Sequence, residues 1–121
     1  MTENMWAYRT NIDYLAADIT GYGVEALDGA IGKVDKHSDE VTDAYLVVDT
    51  GVWILGKEVL LPAGLVTRID HAAAVVYVDR SKEQIKAAPA FHRGEHLGSG
   101  GHREALVAHY LPGMPFGVPP A

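Results

Sequence analysis

The residues with the strongest chemical spacing are His92, Glu95 and His96, in the run His92-Arg93-Gly94-Glu95-His96. On one helical turn, an H-x-x-E-H pattern presents two neutral imidazoles to zinc while the glutamate activates water. Gly94 sits inside that turn and costs about 1 kcal/mol of helix propensity relative to alanine. The run also follows Pro89 and precedes Gly98-Ser99-Gly100-Gly101, a setting of loop signals. Metal-assisted hydrolysis is therefore the third-ranked reading. The expectation is a non-enzyme with no catalytic residue, no resident metal and no cofactor.

Other reactive patterns are weaker. Asp28, Asp35, Asp39, Glu40, Asp43, Asp49, Asp70 and Asp79 fall in or beside expected turns, where a carboxylate bonds local backbone and keeps sheet edges apart. Paired-carboxylate catalysis needs two of them across a cleft at a fixed separation, which no spacing here specifies. Asp35 to Glu40 reads as a solvated charged loop without the glycine of an EF-hand. Gly21-Tyr22-Gly23 and the later glycine run lack the Lys-Ser/Thr of a phosphate loop. The chain has no cysteine, which excludes disulfides, thiolate nucleophiles and cysteine-ligated metals.

Elements that would position a site follow from hydrophobic patterning. The 121 residues suit one domain, and 48% hydrophobic with 21% charged residues is a globular composition. The net charge is −6, with no Lys/Arg run, so direct nucleic-acid binding is not expected. No stretch approaches 18 apolar residues, so the expectation is a cytoplasmic protein without a membrane span. Residues 1–17 read as a lead-in, 18–89 as the domain, and 90–121 as a tail.

Within 18–89 the signals are those of six short strands. Val24 to Leu27 leads into Asp28-Gly29, expected to supply a two-residue hairpin turn, and Ala30 to Asp35 leads out. Tyr45-Leu46-Val47-Val48, Glu58 to Leu61, Leu65 to Ile69 and Val75 to Val78 follow, separated by Gly, Pro and Asp. Six strands in about 60 residues are economically arranged as one closed barrel, because closure removes exposed edges. Ser81-Lys82-Glu83-Gln84 is a capping box that should start a short helix before Pro89. In the tail, Leu106, Val107, Tyr110 and Leu111 share one face of an expected helix over His102–Leu111.

The order of these pieces resembles a PRC-barrel domain. The resemblance rests on Val24-Glu-Ala-Leu-Asp-Gly-Ala-Ile-Gly-Lys-Val34, Tyr45-Leu-Val-Val-Asp-Thr-Gly51, Lys57-Glu-Val-Leu-Leu-Pro62, and Val76-Tyr-Val-Asp79 with Lys82-Glu-Gln-Ile-Lys86 and Pro89. It implies a small closed β-barrel, as in reaction-centre H subunits, ribosome-maturation factors and free-standing bacterial proteins. It supplies no catalytic residues. Without a membrane helix or room for a second domain ahead of the barrel, the chain is expected to be of the free-standing bacterial type.

The function expected is a protein-interaction or scaffold module, acting as a homodimer with a further protein partner. Gly51-Val52-Trp53-Ile54-Leu55-Gly56 places large apolar groups between two glycines, where turns are normally polar. Trp53, Ile54 and Leu55, with Leu106, Val107 and Tyr110 on the tail helix, are the expected contacts. The alternative is an accessory role in ribosome maturation or RNA processing through protein contacts.

Overall fold

A computed structural model describes Met5, Trp6, Tyr8, Arg9, Ile12 and residues 18–40, 43–51, 58–88 and 100–110. Strands β1 (Gly23–Ala26), β2 (Gly29–Glu40), β3 (Asp43–Asp49) and β4 (Glu58–Pro62) lead into a 3-10 turn at Ala63–Leu65. Strands β5 (Val66–Asp70) and β6 (Val75–Val78) follow, then helices α1 (Lys82–Lys86) and α2 (Gly100–Tyr110). The expected mainly β architecture with six strands and short C-terminal helices is present.

The six strands form one sheet in the order β4-β3-β2-β1-β6-β5. All neighbours are antiparallel except β1 and β6, which are parallel. The expected closed barrel needs correction, because among the described residues no ladder joins β4 to β5. The chain passes between these two end strands through the 3-10 turn, and there the N-terminal segment takes up backbone groups instead. Gly64 N–H donates to Met5 O at 2.8 Å, Ala44 N–H to Trp6 O at 2.8 Å, and Arg9 Nε to Gly64 O at 2.9 Å. A Cβ on Gly64 would lie 2.8 Å from Met5 O, so the approach requires glycine.

The first hairpin is shifted by one residue from expectation. Ala26 pairs with Gly29, so the turn residues are Leu27 and Asp28, and the positive φ of 141° falls on Gly29. The shift has a tertiary cause. Leu27 N–H donates to Arg80 O at 2.9 Å, and the Asp28 carboxylate accepts from Lys82 N–H at 2.8 Å. The turn is thus fastened to the start of α1. Gly32, the fourth residue of β2, has φ 154°, and a Cβ there would meet Asp49 O at 2.0 Å. This explains why Ile31 is followed by glycine where β2 lies against the end of β3.

The expected loop at Asp35–Glu40 is instead the second half of β2, laddered to β3 out to Glu40 opposite Asp43. Pairing with a buried neighbour overrides the low strand propensity of this charged stretch. Ala44 to Val48 of β3 are all buried, as are Val59 to Pro62 of β4. Side chains alternate between faces, so these two strands are covered on both. Their residues join Ile19, Val24, Ile31, Leu65, Val76 and Ile85 in one core, which also takes in Met5 and Ile12 from the lead-in.

Helix α1 starts as its capping box predicts. Ser81 Oγ accepts from Gln84 N–H at 3.2 Å, and Gln84 Oε1 accepts from Ser81 N–H at 2.9 Å. Ile85, its buried residue, joins the core. Helix α2 begins at Gly100, two residues before the expected start.

Candidate protein-interaction surface

Of the expected contact residues, Trp53, Ile54 and Leu55 lie outside the described residues, as do His92, Glu95 and His96. Leu106 and Tyr110 are each 1% exposed and belong to the core of their own chain, while Val107 is half-buried against it. Leu106 and Tyr110 of α2 are therefore enclosed by the core of the same chain.

Polar groups fix that docking. Arg80, 4% exposed at the end of β6, donates through Nη1 to Asp79 O and through Nη2 to Tyr110 O. The Asp79 carboxylate lies 3.6 Å from Arg80 and 3.5 Å from Arg9, tying the N-terminal segment to the same cluster. Burial holds the Tyr110 phenol well above its ordinary pKa, an effect that Arg80 partly offsets. Its hydroxyl has no hydrogen-bond partner among the described residues. On the other side of α2, His109 Nε2 pairs with Gln84 O at 2.6 Å, so α1 and α2 are linked directly.

The carboxylates occupy structural posts. Asp28, Asp49 and Asp70 accept backbone N–H groups of Lys82, Gly51 and Ala73 at 2.8, 2.9 and 3.0 Å. Glu58 stands opposite Asp49 across β3 and β4. Desolvation, then the neighbouring Asp49 charge, raises its pKa above the ordinary glutamate value. No group of three or more potential metal ligands occurs among the described residues.

The outer face of β1, β6 and β5 has a different character. Leu27 is 69% exposed, an exposed large hydrophobe at the tip of the first hairpin. It borders an open groove of about 390 Å³ lined by Glu25, Ala26, Gly29, Thr67, Arg68, Tyr77 and Val78. Register places Glu25 beside Tyr77 and Tyr77 opposite Arg68, so the three form a row across three strands. The Arg68 guanidinium lies 5.1 Å from the centre of the Tyr77 ring and 3.1 Å from the Asp70 carboxylate. A cation held over an aromatic face, beside an exposed leucine, combines groups that protein contacts use often.

The sequence carried a signal for this face. Strand alternation sends Val24 and Ala26 inward, which turns Glu25 and Leu27 outward. The Arg68–Tyr77 pairing depends on a bulge between Val66 and Arg68, which shifts the register by one residue and has no local signature.

Comparisons with known proteins add little. No family model matches the chain, and no curated protein matches it. Among solved structures, one from Pseudomonas aeruginosa assigned to 16S ribosomal RNA processing, RimM, is similar at 26% identity with a TM-score of 0.45. The similarity covers 54% of this chain and 42% of that one, so the chain matches less than half of that protein's length. No described helix is long and apolar enough to cross a membrane.

Proposed function

We infer that this protein is a non-catalytic, PRC-barrel-type interaction module of the cytoplasm that self-associates and holds a second protein on its outer sheet face. The single observation that carries the reading is Leu27, 69% exposed beside the groove that contains Tyr77 and Arg68. Exposed leucine costs hydration free energy, about 25 cal/mol for each Å² that a partner would cover. The turn that presents it is fastened by Arg80 and Lys82, so the side chain is offered from a fixed backbone. Preorganisation of that kind lowers the entropic cost of binding. The PRC-barrel part of the reading rests on the ordered sequence blocks and on the six-stranded sheet they build.

The test is a cross-linking pull-down from the native cell with wild-type protein and a Leu27→Asp variant of unchanged thermal stability. A partner captured by the wild type and lost from the variant supports the reading. Equal capture by both proteins overturns the assignment of this face. Enrichment of ribosomal proteins among Leu27-dependent partners selects the ribosome-maturation alternative. One zinc held tightly per chain, lost on His96→Ala, selects the hydrolase reading.

A further inference from the structure

The two end strands of the sheet differ in what they offer. Val59 to Pro62 of β4 are buried, and β4 ends in a proline that cannot donate to a ladder. On β5, Arg68 is exposed, and β6 is its neighbour in the sheet among the described residues. Edge strands with an open row of backbone groups are templates for a further strand.

The sequence of β5 is self-complementary. Arg68 and Asp70 are two residues apart, so they stand on the same face, and their 3.1 Å ion pair agrees with this. Ile69 between them points the other way, packed against the core. In an antiparallel pair of two copies centred on Ile69, Arg68 of each copy stands directly opposite Asp70 of the other. A two-fold axis makes both such pairs at once, and opposite charges directly across an antiparallel ladder are favourable. On a chain of net charge −6 this edge offers a cation.

We propose that β5 pairs with β5 of a second copy, antiparallel about Ile69, to form the homodimer interface through reciprocal Arg68–Asp70 contacts. The inference rests on the reading of the chain as a self-associating module and names the surface responsible. It joins two sheets edge to edge and sets the two outer faces, each with its Leu27 and Tyr77, side by side on one side of a continuous sheet.

Sedimentation equilibrium on the full chain at tens of micromolar tests this. Wild-type protein should be dimeric. Arg68→Asp and Asp70→Arg should each raise the dimer dissociation constant about tenfold, since each sets two like-charged pairs across the axis. The double variant, Arg68→Asp with Asp70→Arg, should recover most of the loss, because opposite charges again face each other. Asp70→Asn retains an acceptor for Ala73 N–H and should also weaken the dimer, which separates the charge effect from damage to the turn. Circular dichroism checks that each variant is folded. A monomeric wild type overturns self-association itself. A wild-type dimer indifferent to both single changes, or singles that the double variant fails to rescue, overturns the β5 interface alone.

Discussion

Arg80 donates to the backbone carbonyl of Tyr110, thirty residues further along the chain, and both residues are almost completely buried. A single guanidinium thereby closes the last turn of α2 onto the end of β6. The free carbonyls at a helix C-terminus need donors, and a cation there also meets the negative end of the helix dipole. Its planar fork serves two carbonyls at once, a geometry an ammonium cannot reproduce.

Arg80→Ala is therefore expected to destabilise the fold by about 2–4 kcal/mol, since it strands the buried Tyr110 carbonyl and opens a cavity. Arg80→Lys should recover little of this. Urea denaturation of the three proteins measures both, and a lysine variant as stable as wild type would contradict the role of the fork.

Tyr110→Phe should act in the opposite direction. The phenol oxygen is buried without a hydrogen-bond partner among the described residues, so removing it relieves a desolvation cost while the ring stays packed. Stability should rise by about 1 kcal/mol. A loss of stability on the same scale in urea melts would show that the hydroxyl is bonded.

Leu106 is 1% exposed within its own chain, and its replacement tests intramolecular docking. Leu106→Ala is expected to cost about 2–5 kcal/mol, the range for a large core side chain. The lost stability should be independent of protein concentration. A dependence of melting temperature on dilution that differs between the variant and the wild type would place Leu106 in an intermolecular contact.

Gly32→Ala should destabilise by about 2 kcal/mol or more, because φ 154° and a Cβ 2.0 Å from Asp49 O must both be relieved. Since β2 is laddered to β3 beside this point, amide exchange in both strands should accelerate together. Exchange confined to the first hairpin would locate the strain elsewhere.

The Thr20 backbone N–H, and then His37, whose Nε2 is 3.0 Å away, push the Asp18 carboxyl down to about 2. A depressed carboxylate pKa stabilises the fold above the unfolded value of 3.8, and the benefit is lost as the pH falls from 3.8 toward about 2. Asp18→Asn should flatten the pH dependence of unfolding in that window. Side-chain carboxyl NMR reads the pKa directly, and an Asp18 value near 3.8 would remove the effect.

The sequence by itself determined the local decisions. Strand-forming runs, glycine and proline punctuation and the Ser81–Gln84 capping box are short-range effects of backbone geometry, and they located six strands and α1. It also marked the chemistry that is missing, since a chain without cysteine cannot carry thiolate chemistry. Tertiary structure decided the features that depend on residues far apart. Arg80 and Lys82 moved the first turn by one residue, and pairing with β3 drew a charged stretch into β2. The Met5–Arg9 segment met the 3-10 turn between the two end strands, where a barrel seam was expected. The same holds for the surface. Helical periodicity marks Leu106 and Tyr110 as apolar without saying which chain covers them. Docking on the chain's own core removed them from the surface and left Leu27, Tyr77 and Arg68 on the outer face. Burial depends on what packs against a side chain, and that partner is specified by the whole fold rather than by neighbours in sequence.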